Sequence, residues 1–245
     1  DVYKRQLLVL GLVIVAGARR AHDGIMRFSP RLPNDTATLL LVATFIIVLV
    51  GLGKGRHAKT ISIIGAGAIL IMYGAWLLQY LRSEQAGKRG GKPRVTVATA
   101  VALLAAAGTA AAFVSDWFVH SLQPTIHTLH ISKAFAGLVI VAIAGNAVEN
   151  VVGIVLAARG RPELAISVVK NSVSQIAAFL YPVLVLVSLA TATTLTFALA
   201  PVYIGALFGT AVIIWQITGD GEATVFEGIA LVAAFVILAT VAGFQ

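Results

Sequence analysis

A carboxylate and two amides lie close together inside one apolar stretch of this sequence. Asn146, Glu149 and Asn150 are spaced i, i+3 and i+4, so on a helix they share one face. Glu149 lies eight residues from the predicted end of its helix, roughly 12 Å, which is too deep for its carboxylate to reach water easily. Charged groups at this depth are costly and mark functional positions. Carboxylate and amide oxygens suit a hard cation such as calcium, which takes six to eight oxygen ligands.

Polar residues also interrupt the next apolar stretch, at Lys170, Asn171, Ser172, Ser174 and Gln175. Asn171, Ser174 and Gln175 again share one helix face. The short loop 158–162 joins the two helices, so their polar faces meet inside the apolar region. This arrangement favours a hydrated cation site in which a proton and a cation compete for Glu149. A structural polar network that joins the two helices is the alternative.

Composition sets the solvent in which these helices lie. Hydrophobic residues make up 59% of the 245-residue chain, charged residues make up 11%, and the mean hydropathy is +0.95. A soluble domain carries about a quarter of its residues as charges, so the surrounding medium is lipid, where only helices and closed barrels satisfy the backbone. The apolar runs do not alternate as strands would, which favours helices. The absence of cysteine excludes disulfides and thiolate metal sites.

Seven apolar runs are long enough to cross a bilayer, and one is too short. The long runs are 36–53, 60–81, 95–115, 131–157, 163–189, 195–217 and 224–243, and the short one is 7–17. The sequence therefore predicts an all-α polytopic membrane protein with about seven full transmembrane helices and one truncated N-terminal helix. We interpret the chain as a fragment in which residue 7 lies inside a helix that begins earlier, and residues 1–6 as a leader outside the family pattern.

The basic residues predict the orientation of these helices. Loops 18–35, 82–94, 158–163 and 218–223 carry eleven Lys and Arg residues, whereas the loops of the opposite side carry four. The positive-inside rule places the first set, including the basic linker 82–94, in the cytoplasm. The net charge of +8 is explained by these loops, and we predict no binding to nucleic acid. The G-x-x-x-G spacing of Gly205 and Gly209 predicts close helix packing.

Several motifs resemble those of the calcium/proton antiporters, which belong to the calcium:cation antiporter superfamily. That family carries G-N-A-A-E-H on one helix and a serine pair with a glutamine on the next; the matching residues here are Gly145, Asn146, Ala147, Glu149, Ser172 and Gln175. Further likeness lies in Leu7–Gly11, in Ser115–Val119 with its Asp116, and in the segment 220–228. The family's histidine is Asn150 here, one serine is Val173, and Lys170 replaces an apolar residue.

The resemblance implies an inverted-repeat exchanger bundle that moves calcium against protons, with no resident cofactor. Residues 7–81 would be the remainder of the first repeat and residues 95–245 the second, with five helices. Its cation ligands would be Glu149, Asn146, Gln175 and Ser172, with Asn150, Asn171, Ser174 and Asp116 as accessory positions. The first repeat's own acidic motif is not in the sequence. A lysine at 170 would repel a cation unless it reaches the cytoplasm or pairs with a carboxylate.

Three hypotheses remain open at this point. The chain could belong to a calcium/proton antiporter, to an exchanger of the same superfamily that uses sodium or another divalent cation, or to a membrane scaffold subunit that transports nothing. No phosphate loop, nucleophile elbow or zinc motif occurs in the sequence, so we do not expect an enzyme. The expected location is a prokaryotic plasma membrane, and the oligomeric state is not predicted.

Overall fold

A bundle of long helices makes up this chain in a computed structural model that describes residues 2–52, 57–85, 96–129, 136, 141, 147–191 and 194–244. The first helix begins with π-helical turns at Lys4–Val9 and continues as α1. The helices are α1 Leu10–Arg20, α2 Arg31–Leu52, α3 Ala58–Gln85, α4 Val97–Leu129, α5 Ala147–Ala158, α6 Pro162–Gln175, α7 Tyr181–Val187, α8 Pro201–Thr218 and α9 Val225–Gly243. Ile176–Leu180 is π-helical and joins α6 to α7, which ends in a short 3-10 turn at Ser188–Ala190.

Within these described ranges, six helical segments are long and apolar enough to cross a membrane. They are Arg31–Val50, Ala58–Arg82, Val97–Leu122, Pro162–Ala190, Pro201–Thr218 and Val225–Gly243. Each corresponds to one of the seven predicted runs. The remaining run, 131–157, is described mainly over its last part as α5, so most of it lies outside the described residues. The prediction of a polytopic helical membrane protein is confirmed.

The N-terminal helix is longer than the apolar run predicted. Residues Lys4 to Gln6, which we separated as a leader, continue the helix and are buried. The hydroxyl of Tyr3 donates to the Tyr203 carbonyl at 2.7 Å, which ties this end to α8. The polarity of residues 4–6 led us to separate them from the helix. The backbone hydrogen bonds of a helix are local and do not depend on apolar side chains, so polar residues can continue it.

Helix α4 does not end near residue 115, as its apolar run predicted. It continues through Asp116 and Trp117 to Leu129. Hydroxyl groups in the extension bond back to the preceding turn, from Ser121 to the Trp117 carbonyl at 2.8 Å and from Thr128 to the Pro124 carbonyl at 2.9 Å. A polar residue ends a hydrophobic span but does not end a helix, so hydropathy placed this boundary too early.

A two-stranded ribbon interrupts the otherwise helical architecture. Strand β1, Ile25–Arg27, pairs antiparallel with β2, Glu222–Thr224. The backbone N–H of Ser29 also donates to Glu163 Oε1 at 2.7 Å. These contacts bring together three of the four loops that charge counting placed on one side of the membrane. Strands this short carry no periodicity, and sequence analysis missed them.

Two apolar cores flank α6. One core joins α1, α5, α6, α8 and α9 with the ribbon and includes Val169 of α6. The other joins α2, α3, α7 and α8 and includes Val173 of α6. Between the cores, the hydroxyls of Thr36 on α2 and Ser174 on α6 lie 3.1 Å apart and are buried. Helix α6 is therefore held from both sides, which fixes the position of its polar residues.

A close contact between two glycines joins α1 and α9, whereas the sequence predicted close packing at a glycine pair in α8. A Cβ added to Gly11 would lie 2.7 Å from the Gly228 carbonyl oxygen, and one added to Gly228 would lie 2.8 Å from the Gly11 oxygen. In contrast, apart from the nearby backbone of α8 itself, no atom of the described residues lies within 4 Å of a Cβ added at Gly205 or Gly209. Within the described ranges, nothing packs closely against this glycine pair, since spacing reveals a small face but not what lies against it.

Candidate cation site

Glu149 lies in the first turn of α5 and is reached from two other helices. The Ser172 hydroxyl on α6 donates to Glu149 Oε2 at 3.2 Å. The guanidinium of Arg5, in the first helix, donates to the same oxygen at 2.5 Å. Helices α5 and α6 form a hairpin across the turn at Gly160, whose φ of 72° suits glycine. This hairpin brings the acidic and hydroxyl groups together.

The carboxylate opens into a cavity of about 540 Å³, which we call the central cavity. Its polar lining consists of Arg5, Tyr73, Glu149, Ser172 and Gln175, and its apolar lining of Ile176, Phe179 and Leu180. The Glu149 side chain is 50% exposed, whereas its depth along the helix led us to expect poor access to water. The difference arises because the cavity reaches the carboxylate from the side, between helices.

Three of the four predicted ligands meet in this cavity, namely Glu149, Ser172 and Gln175. The fourth, Asn146, lies outside the described residues. Asn150 follows Glu149 on α5, is half-buried, and does not line the cavity. The structure therefore places Glu149, Ser172 and Gln175 close together, and their role as cation ligands stays a prediction.

The remaining accessory positions lie elsewhere. Ser174 is 1% exposed and bonds to Thr36, so it contributes to helix packing. Asn171 Nδ2 donates to Ser167 Oγ at 3.1 Å, and its Oδ1 is buried with no hydrogen-bond partner in the part of the chain that the structure describes. Asp116 lies exposed on α4, where its Oδ1 is 3.6 Å from His120 Nδ1. The three residues predicted to share one face therefore have different surroundings. Ser174 packs against Thr36, Asn171 bonds to Ser167, and Gln175 lines the central cavity.

Lys170 adopts neither arrangement that we expected for a lysine at this depth. Its side chain is fully buried, and Nζ donates to Gln6 Oε1 at 3.1 Å. It therefore does not reach a loop surface, and among the described residues it pairs with no carboxylate. Gln6 and Arg5 were missed because they precede the recognisable apolar run, and no sequence signal indicated that they lie beside α6.

The chemistry of the central cavity is that of a partial cation shell. Glu149 offers two carboxylate oxygens, Ser172 a hydroxyl, and Gln175 an amide oxygen. Calcium requires six to eight oxygens, so water or further groups would complete the shell. Within the described ranges, no group of three or more His, Cys, Asp or Glu side chains could hold a metal ion. Such an incomplete shell suits a transported ion better than one held permanently.

A family model described as "Sodium/calcium exchanger protein" matches residues 99–244. The chain belongs to this family. The match covers more than half of this chain and includes α5, α6 and the cavity residues Glu149, Ser172 and Gln175, whereas Arg5 and Tyr73 precede it. It confirms the resemblance on which the sequence analysis relied.

Two named relatives of this chain come from a bacterium and a fungus. It is 27% identical to the Ca²⁺/H⁺ antiporter ChaA of Bacillus subtilis over 95% of this chain and 70% of the relative. It is 30% identical to the vacuolar calcium ion transporter of Schizosaccharomyces pombe, over 97% of this chain and 61% of the relative. The chain therefore spans about two thirds of the length of these two relatives.

The fold is similar to that of solved exchanger structures. Native YfkE superposes with a TM-score of 0.79 at 28% identity, covering 100% of this chain and 73% of the other. A selenium-substituted crystal structure of YfkE, described as a Ca²⁺/H⁺ antiporter protein, gives a TM-score of 0.73 at 25% identity. The predicted exchanger fold is thereby confirmed, while the division into residues 1–6, 7–81, 82–94 and 95–245 stays a prediction.

Proposed function

We propose that this chain binds calcium at Glu149 and exchanges it for protons across a membrane. The main support is that Glu149, Ser172 and Gln175 line one open cavity between two membrane-embedded helices. The chain that forms this cavity belongs to the exchanger family. Relatives from a bacterium and a fungus are named as calcium/proton antiporter and calcium transporter, which supports calcium as the cation. The substrates are thus calcium and protons.

Competition for one carboxylate provides the coupling. Ionised Glu149 attracts a divalent cation, and a proton on the same carboxylate removes that charge. Ser172 and Gln175 contribute neutral oxygens, which add to the shell but neither take up nor release a proton at physiological pH. In the described structure, Arg5 contacts Glu149 with its guanidinium and supplies positive charge where a bound cation would also lie. Exchange then requires that Glu149 be neutralised by only one partner at a time.

The proposed orientation follows from the loop charges and from the contacts between loops. The ribbon and the Ser29–Glu163 contact put loops 21–30, 159–161 and 219–224 on one side. We assign this side and the linker 82–94 to the cytoplasm, because basic loops are retained there. The bacterial relative supports a prokaryotic plasma membrane as the location. Alternating access would come from movement of one inverted repeat against the other.

Flux measurements on reconstituted vesicles test this function. An imposed proton gradient should drive calcium flux, and Glu149→Gln should reduce it to background while the protein still inserts. Glu222→Gln is the matched control, because Glu222 is a carboxylate of the exposed ribbon. If calcium flux requires a sodium gradient instead, the coupling ion is sodium rather than the proton. Unchanged flux in the Glu149 variant would refute the proposed site.

A further inference from the structure

A second polar cavity opens on the side of the ribbon, about 240 Å³ in volume. We call it the loop-side cavity. Two carboxylates from different helices line it, Asp35 of α2 and Glu163 of α6. The rest of its polar lining is Ser29, Arg31, Tyr80 and Ser167. Nothing in the sequence motifs assigns a role to these residues.

Both carboxylates are fixed by neutral donors. The Trp76 indole N–H donates to Asp35 Oδ2 at 3.0 Å, and the Ser29 backbone N–H donates to Glu163 Oε1 at 2.7 Å. Each contact uses one oxygen and neutralises no charge. Arg31 lines the same cavity, yet within the described ranges it forms no ion pair with either carboxylate. Two oriented negative charges thus face one cavity.

The loop-side cavity and the central cavity lie along the same two helices. On α6, Ser167 lines the loop-side cavity and Gln175 lines the central one, eight residues or about 12 Å further on. On α3, Tyr80 and Tyr73 line the corresponding cavities. The two cavities therefore follow one another along α3 and α6.

Asn171 lies between the cavities on α6. It is one turn from Ser167 and one turn from Gln175, so the three side chains form a stripe at i, i+4 and i+8. Its Nδ2 donates to Ser167 Oγ, whereas its Oδ1 is buried and has no hydrogen-bond partner among the described residues. A buried carbonyl oxygen without a donor is costly, and a passing cation would satisfy it. The stripe therefore offers oxygen ligands along the whole distance between the cavities.

We propose that the loop-side cavity is a second divalent-cation site, from which the ion passes along Ser167 and Asn171 to Glu149. The passage to Glu149 rests on the proposed function; binding in the loop-side cavity does not. Carboxylate and hydroxyl oxygens are the ligands of a hard cation such as calcium. The guanidinium of Arg31 repels that cation, which keeps binding weak and release rapid. The site gathers cations at the membrane surface and delivers them to the central cavity.

Terbium(III), a luminescent ion that occupies calcium sites, gives a direct test because indole groups sensitise its emission at short range. Trp76 contacts Asp35, so terbium bound in the loop-side cavity should emit when tryptophan is excited. Asp35→Asn with Glu163→Gln should abolish this signal, and both amides keep the oxygen that accepts the existing hydrogen bond. The control pair is Asp23→Asn with Glu222→Gln, which removes two carboxylates from the ribbon on the same side.

Three further variants make the outcome decisive. Trp76→Phe should remove the emission, and Arg31→Gln should strengthen terbium binding several-fold. In vesicles, the Asp35 and Glu163 double variant should need several-fold more calcium for half-maximal flux and keep its maximal rate. Wild-type terbium emission in that double variant, or an equal loss in the ribbon control, would overturn the proposal. Glu149→Gln separates the proposed loop-side site from the proposed transport through Glu149. Terbium emission from the loop-side cavity should persist in this variant, whether or not Glu149 carries transport.

Discussion

Ser172 Oγ lies 3.2 Å from Glu149 Oε2, and this hydrogen bond joins the two helices that flank the central cavity. The bond orients the carboxylate toward the cavity, because one of its oxygens is held from α6. It also places a neutral oxygen beside the charged one. The two partners differ in how strongly they attract a cation, since only the Glu149 carboxylate carries charge.

We predict that Ser172→Ala and Gln175→Ala lower calcium affinity without abolishing transport. Each loses one neutral ligand, worth about 0.5–1.5 kcal/mol, which corresponds to roughly a 2- to 10-fold higher calcium concentration at half-maximal flux. The measurement is calcium-dependent flux in vesicles. Ser121→Ala on α4, which removes an exposed hydroxyl far from the cavity, should match the wild type. Complete loss of flux in either cavity variant would show that neutral ligands are essential.

Calcium binding should weaken as the pH at the site falls. A proton on Glu149 removes the charge that attracts the cation, so protons and calcium compete. The check is calcium affinity measured between about pH 5 and pH 8, where Glu149→Gln should show weak binding with little pH dependence. Affinity independent of pH in the wild type would point to sodium as the coupling ion.

Replacing Arg5 should strengthen calcium binding. Its guanidinium contacts Glu149 Oε2 and competes with the cation for the same oxygen. Arg5→Gln keeps a polar side chain and removes the charge, so we expect affinity to rise several-fold. Arg19→Gln, at the exposed end of α1, is the matched loss of one positive charge. Equal calcium affinity in the wild type and the Arg5 variant would mean that the guanidinium moves away when calcium binds.

The buried pair of Thr36 and Ser174 should support stability rather than transport affinity. Interhelical hydrogen bonds in membranes are worth about 0.6 kcal/mol on average and up to about 1.7 kcal/mol. Thr36→Val and Ser174→Ala should each destabilise the protein in a detergent unfolding assay, and the double variant should cost less than their sum. Their calcium affinity should stay at the wild-type value. A strictly additive double variant would show that the hydroxyls do not interact.

Acid should loosen the ribbon. Arg27 lies beside Asp23, and its guanidinium holds the pKa of that carboxyl below its ordinary value of 3.8. A depressed pKa means that the ionised form stabilises the fold. This contribution is present above the ordinary pKa and disappears as the pH falls through the lower folded value. Protection of the Ile25 N–H, which donates to Asp23 Oδ1, is measured as hydrogen exchange relative to the intrinsic rate at each pH. This protection should therefore fall in strong acid, and Asp23→Asn should show lower protection already at neutral pH.

The sequence by itself determined the solvent and the helices, and it predicted the chemistry of the site. Long apolar runs require lipid and helices, because a bilayer leaves no other partner for the backbone. A carboxylate and neutral oxygens within two such runs indicate a cation, and the loop charges predicted which loops share a side. These properties are local, so they can be recognised from residue type and spacing.

Tertiary structure alone decided which of these residues meet. Glu149, Ser172 and Gln175 share a cavity, while Ser174, from the same predicted face, packs against Thr36. Arg5 reaches Glu149 from 144 positions away along the chain, and Gly11 lies against Gly228, whereas no other described element packs closely on Gly205 or Gly209. Helical periodicity predicts the direction in which a side chain points from the axis of its own helix. The partner opposite depends on how separate helices pack, which no local pattern contains.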